Sequence, residues 1–203
     1  LTSFPALDLS KGNNFSSAWQ NCSALTSFAA GAKLGTEADN VNFTSAWQSS
    51  GLNSFSTPLP TATNLRYAFL QCSQLTSFGV QELPEVVDMQ QTFQNTPLAS
   101  FSTSLPKIEF LPYAFTNCTS LTDFSADVFA SWNPSSIASG VFNNTWDNCP
   151  LTAQSVENIL TSIDASNQHG TDDGTSTGNP LGDAGIDIDY NVATGSLSAA
   201  TNS

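Results

Sequence analysis

Positive charge is the scarcest feature of this sequence: Lys and Arg together number four, against 17 Asp and Glu, for a formal net charge of −13. Such a surface repels phosphate backbones and anionic headgroups, so neither nucleic acid nor bare membrane is an expected partner. Charge of either sign is thin, at 10% of residues where an average globular protein has roughly 25%. Ser, Thr and Asn fill the polar positions instead, a composition closer to an exported or particle-surface protein than to a cytoplasmic enzyme. The single His, His169, sits in Asn167-Gln-His-Gly170 and reads as a solvated loop residue. One imidazole leaves no pair for a metal, and the sequence offers no phosphate-cradling glycine loop or nucleophile elbow. No catalytic constellation emerges, so no enzyme is expected. No apolar run approaches the roughly 20 residues that span a bilayer, and membrane insertion is not expected either. No signal peptide is visible. The chain opens at Leu1 inside a repeat, which reads as a processed form or an excerpt of something longer.

What is present is repetition. One motif recurs six times: Leu1-Thr-Ser-Phe4, Leu25-Thr-Ser-Phe28, Leu52-Asn-Ser-Phe55, Leu75-Thr-Ser-Phe78, Leu98-Ala-Ser-Phe101 and Leu121-Thr-Asp-Phe124. Successive leucines lie 24, 27, 23, 23 and 23 residues apart, inside the range of leucine-rich repeats. A second motif runs in phase: Ala18-Trp19, Ala46-Trp47, Ala68-Phe69, Thr92-Phe93, Ala114-Phe115 and Thr145-Trp146. Four residues before each aromatic stands another apolar side chain: Phe15, Phe43, Leu65, Met89, Leu111 and Phe142. That spacing predicts one helical turn per repeat. The Leu-x-x-Phe segment predicts a short strand, stopped by Pro60, Pro84 and Pro106. A unit of this size cannot bury its own Leu, Phe and Trp, but stacked units align them into ladders that form one continuous core. The expected fold is an α/β repeat solenoid of about six repeats of 23–27 residues, its strands stacked into a parallel sheet.

The string Cys72-x-x-Leu75-x-x-Phe78-x-Val80-x-x-Leu83-Pro84-x-x-Val87-x-Met89-x-x-Thr92-Phe93 resembles the BspA-like class of leucine-rich repeats. So does the Asn-Cys-Ser-x-Leu-Thr-Ser pattern at Asn21–Ser27 and its relatives near Cys72 and Cys118. The resemblance covers about residues 1–151 and implies extracellular proteins: bacterial surface adhesins, protist surface proteins, and proteins of phages and other viruses. The segment Leu151–Ile163 is similar to the end of such arrays in many marine phage and bacterial proteins. That likeness brings a virion or tail-fibre component into the expectation.

Beyond the array we expect a C-terminal unit over 152–203: a capping helix over 153–164 with Thr152 as N-cap, an irregular acidic loop over Asn167–Gly185, and one strand at Ile186–Tyr190. Repeat two is long, and an insertion around Ser131–Pro134 maps to a surface loop. Cys22, Cys72, Cys118 and Cys149 share one phase of the repeat and read as buried thiols in a core ladder. Alternate rungs are about 10 Å apart, too far for a disulfide, which leaves Cys118 and Cys149 on adjacent rungs as the one pair able to bridge. Asp172, Asp173, Asp183, Asp187 and Asp189 cluster among glycines in the manner of a calcium loop. Their spacing matches no EF-hand, so they read first as a solvated acidic loop, with no cofactor expected. Sequons at Asn14, Asn21, Asn42, Asn117 and Asn143 coincide with a repeat position that hydrogen-bonds the turn.

The strand face carries the functional expectation. Before each Phe the outward position reads Ser3, Ser27, Ser54, Ser77, Ser100 and Asp123; after it, Pro5, Ala29, Ser56, Gly79, Ser102 and Ser125. Stacking makes a flat field of small hydroxyls, of which Ser27, Ser54, Ser77, Ser100 and Asp123 are the candidate ligand-binding residues. Small side chains permit close approach and cost little entropy to order. The leading expectation is a module contacting a host-cell surface glycan or protein. The alternatives are a coat or filament subunit that self-assembles through its flat faces, a bacterial adhesin, and, more remotely, an ice-binding face. A homo-oligomer or larger assembly is expected in each of the first two cases.

Overall fold

The computed structural model describes residues 1–29, 31–136 and 140–166. The acidic loop, the strand expected at Ile186–Tyr190, His169 and the carboxylates Asp172, Asp173, Asp183, Asp187 and Asp189 lie outside the described residues. In chain order the elements are β1 (Ser3–Phe4), β2 (Asp8–Leu9), β3 (Ser27–Phe28), β4 (Lys33–Leu34), β5 (Val41–Asn42), β6 (Ser54–Phe55), β7 (Ala62–Asn64), β8 (Ser77–Phe78), β9 (Ser100–Phe101), β10 (Asp123–Phe124) and α1 (Ala153–Ala165).

The Leu-x-x-Phe segments form one strand per coil, and neighbours pair in parallel and in register: Ser3 with Ser27, Ser54 with Ser77, Ser100 with Asp123. Between these pairs the ladder is carried by Asn53 N–H to Thr26 C=O and by Ala99 N–H to Thr76 C=O, both 3.2 Å. A second side is built from the β2–β4 pair and the Glu82–Ser104 bridge. A third runs through Asn14–Asn42, β5–β7, Asn64–Asp88 and Asp88–Phe110. The molecule is a parallel solenoid of stacked coils.

Two local expectations are corrected. Pro60, Pro84 and Pro106 do not stop the strands, because β6 already ends at Phe55, β8 at Phe78 and β9 at Phe101. The prolines follow Leu59, Leu83 and Leu105, buried leucines of the second side, where a missing N–H removes one bond of a sparse ladder.

The aromatic motif is not a helical turn. In coil two, the N–H groups of Ser45, Trp47 and Ser49 donate to the carbonyls of Arg66, Ala68 and Leu70 on the next coil, each at 2.9 Å. The intervening Ala46, Gln48 and Ser50 donate three residues back, to Phe43, Ser45 and Trp47. Alternate residues thus bond along the array and around the turn. The residues two before and two after each aromatic have positive φ: Ser17 and Asn21, Ser45 and Ser49, Tyr67 and Gln71, Gln91 and Asn95, Tyr113 and Asn117, Asn144 and Asn148. A left-handed residue every fourth position breaks any α-helix and aims its N–H at the neighbouring coil.

Inside, one ring column runs Phe4, Phe28, Phe55, Phe78, Phe101, Phe124 with centroids 4.7–6.2 Å apart. A second runs Trp19, Trp47, Phe69, Phe93, Phe115 with centroids 4.9–5.5 Å apart and planes within 12° of parallel. The columns meet edge to face, as at Phe69–Phe78, the geometry aromatic quadrupoles favour. Leu25, Leu52, Leu75, Leu98, Leu121 and Leu151 form a buried third ladder, while Leu1, on the first coil, is 69% exposed.

After Leu151 the chain turns into α1, whose N-cap Thr152 accepts from Ser155 N–H. Val156, Ile159 and Ile163 cover the core. The helix also finishes the sheet. Ser155 Oγ accepts from Phe124 N–H and donates to Thr122 C=O, both at 2.9 Å, and Asn158 Nδ2 donates to Phe124 C=O at 2.8 Å. Two side chains thereby satisfy the edge that another strand would have paired.

Candidate functional site

Each β-strand on the first side places its Phe inward and the preceding residue outward. Ser3, Ser27, Ser54, Ser77, Ser100 and Asp123 are all exposed, one per coil, at the roughly 4.8 Å repeat of paired strands. The second outward column is less uniform: Pro5, Ser56, Gly79 and Ser102 are exposed, while Ala29 and Ser125 are half-buried. Strict alternation would have turned Thr26, Asn53, Thr76 and Ala99 inward, yet these are exposed too. Each lies in the bend before its strand, and Thr26 and Thr76 donate their hydroxyls to the carbonyls of Thr2 and Asn53 at 3.1 and 3.3 Å. A threonine-rich column beside the serines is the part of this face that alternation missed; the recurring Leu-Thr-Ser was its signal.

Two grooves interrupt the field. One, of about 260 Å³, lies where the sheet meets α1: Ser100, Ser102, Asp123 and Ser125 on one side, Gln154 and Asn158 on the other. Asp123 accepts from Thr122 Oγ1 at 2.7 Å. The other, of about 230 Å³, opens at the corner between Ser56–Pro60 and Gly79–Glu82. A Cβ at Gly79 would meet Ser56 Cβ at 3.2 Å, so glycine keeps this corner open. Polar hydroxyls, one carboxylate and shallow relief suit hydrogen-bonded contact with a broad partner.

No group of three or more His, Cys, Asp or Glu able to hold a metal occurs among the described residues. Cys72, Cys118 and Cys149 are buried and Cys22 is half-buried; all four are free thiols. The S–H groups of Cys72, Cys118 and Cys149 donate to the carbonyls of Trp47, Phe93 and Phe115, at 3.0, 3.1 and 3.0 Å. Thr92 and Thr145 likewise donate to Leu65 and Leu111. Burial raises the Cys72 thiol pKa, and the neighbouring Cys118, together with burial, raises that of Cys149. Thiols so held are poor nucleophiles.

The sequon asparagines serve the turns. Asn14 and Asn42 accept from the N–H two residues on, at 3.0 and 2.9 Å, and Asn64 and Asp88, which are not sequons, do the same in the next coils. Asn117 joins an amide ladder, donating to Asn95 and accepting from Asn148. Burial raises the Asp88 carboxyl pKa, with the N–H of Gln90 and the charge of Arg66 opposing it.

Stacked coils that present equivalent side chains in columns define a repeat scaffold for interaction. The sequence matches the BspA-type leucine-rich-repeat region in six copies, over residues 15–122 and 44–167, and the chain belongs to that family. Repeats of this type are interaction scaffolds of surface-associated proteins. Comparison with curated proteins and with solved structures found no significant match. No helix among the described residues is long and apolar enough to cross a membrane.

Proposed function

We propose that this chain is a non-enzymatic recognition module of a virion or cell surface, engaging a host-cell glycan or protein through its strand face in the manner of a tail fibre or adhesin. The supporting observation is the exposed column Ser27, Ser54, Ser77, Ser100, Asp123, one residue per coil, ending in the groove against α1. Contacts of this kind are individually weak and sum along an array. Attachment outside the cell also accords with the sparse charge and the abundant hydroxyls.

The labelled chain should bind candidate host cells saturably. The double variant Ser77→Trp with Ser100→Trp should lose that binding with its melting temperature unchanged, because both side chains point to solvent. A chain that binds no cell, and whose light-scattering mass shows assembly abolished by the same double variant, would replace attachment with the coat or filament reading.

A further inference from the structure

The turn side carries a second, chemically different patch. The left-handed position two before each core aromatic holds Ser17, Ser45, Tyr67, Gln91, Tyr113 and Asn144 in successive coils. Of these residues only Asn suits a left-handed φ; tyrosine, the bulkiest, does not, and yet Tyr67 and Tyr113 stand there at φ +59° and +58°. A bulky residue retained in an unfavourable conformation points to a use for its side chain. Tyr113 is 39% exposed, the one exposed large aromatic among the described residues, and Tyr67 is half-buried.

Planar polar groups collect around these rings. The guanidinium of Arg66, the sole arginine of the chain, lies 5.0 Å from the Tyr67 ring centroid and donates to its hydroxyl at 3.1 Å. Asp88 is half-buried near Arg66, whose charge acts on it. Gln90 and Gln91 occupy the coil between the tyrosines, and Gln91 donates to Gln94. Arg66 Nε and Gln90 Oε1 are buried beneath this patch and have no hydrogen-bond partner among the described residues. The corresponding positions of coils one and two hold only Ser16, Ser17, Thr44 and Ser45.

We infer that Arg66, Tyr67, Gln90, Gln91 and Tyr113 form a binding platform for an extended, uncharged glycan chain. Tyr67 and Tyr113 are two coils apart, on the order of 10 Å, which is the length of one disaccharide in an extended 1,4-linked chain. Alternate sugars would set the C–H face of their rings on the two tyrosines, and the ring between would meet the glutamine amides. Tyrosine suits this because it presents a flat apolar body and a polar tip. The patch balances one guanidinium against one carboxylate, while the chain as a whole carries −13, which repels acidic sugars and favours neutral ones.

The test is affinity electrophoresis and calorimetry of the whole chain with hexasaccharides of 1,4-linked glucose, mannose and N-acetylglucosamine, and with an acidic 1,4-linked uronate hexamer as control. At least one neutral hexamer should bind, and the uronate should not. Tyr67→Ser and Tyr113→Asn, the residues that coils two and six carry at this position, should weaken binding at least tenfold without lowering the melting temperature. Ser77→Trp on the strand face should leave glycan binding intact, which separates this platform from the strand-face reading. Binding unchanged in both tyrosine variants, or no binding of any neutral hexamer, overturns the inference.

Discussion

The strand side and the turn side of each coil do the same structural work in different ways. Both pass hydrogen bonds to a neighbouring coil, Thr76 N–H back to Asn53 C=O of the preceding coil on one side and Gln71 N–H forward to Gln94 C=O of the following coil on the other. On the strand side this needs only extended backbone, which almost any residue adopts. On the turn side it needs left-handed residues at fixed places, which costs roughly 1–2 kcal/mol wherever the residue is not Gly, Asn or Asp. Uniformity therefore means different things on the two sides. Serines repeated on the strand face are sterically free choices, whereas the recurring Asn on the turn side answers to a left-handed backbone. There the exceptions, Tyr67, Gln71, Gln91 and Tyr113, are the informative residues.

The contrast can be broken most severely from the core that both sides share. Trp47→Ala should destabilise by about 3–5 kcal/mol in chemical denaturation, because the ring is fully buried and stacked 4.9 Å from Phe69. Trp47→Phe should cost far less: the next three coils carry Phe, and Trp47 Nε1 has no partner among the described residues. A large loss for Phe would show that the columns are not interchangeable between coils.

Next in size is the cap of the strand side. Ser155→Ala orphans the Phe124 N–H, while Thr122 C=O keeps the Thr152 N–H, and should cost about 1–3 kcal/mol, with amide exchange accelerating at Phe124 before Phe78. Equal acceleration along the sheet would mean that α1 does not protect the edge locally.

A matched pair of glycines then reads the contrast by sign. Gln71→Gly, at φ +60°, should stabilise by about 1 kcal/mol, whereas Ser77→Gly, in extended backbone, should destabilise by about 0.5–1 kcal/mol. Equal signs in thermal melts would dissolve the distinction between the two sides.

The smallest effect is electrostatic. The Asp88 carboxyl pKa is raised in the fold, so the native state holds that proton more tightly than the unfolded chain does. This contribution to stability grows as pH falls from neutral through the folded pKa and levels off below the unfolded one. Asp88→Asn keeps the acceptor for Gln90 N–H, as Asn14, Asn42 and Asn64 do in their coils. It should stabilise at pH 7 by about 0.5 kcal/mol, allowing for screening at a half-exposed site. The wild-type minus variant difference should vanish in acid; a constant difference across pH would place the effect elsewhere.

Much of this was legible before any coordinates. Leucines and aromatics at fixed phase dictated a stacked core, because burial depends only on which residues are apolar and how often they recur. The column of Ser27, Ser54, Ser77, Ser100 and Asp123 followed from the same phase. A spacing of four between Phe43 and Trp47 misled, since one helical turn and two successive β-turns place side chains at nearly the same interval. The available signal was local: Ser45 and Ser49 flank Trp47 two residues to either side, as Asn144 and Asn148 flank Trp146, residues that turns favour and helices do not.

By itself, then, the sequence determined the coil, its period, its ladders and the residues a strand can turn outward, all consequences of periodicity along one chain. Only the tertiary structure decided where each backbone bond goes. It sent alternate N–H groups of the turn to the next coil, lent Ser155 and Asn158 to the sheet edge, and set Tyr67 and Tyr113 side by side across Gln91. Those outcomes depend on groups from different coils meeting in space, which no single repeat contains.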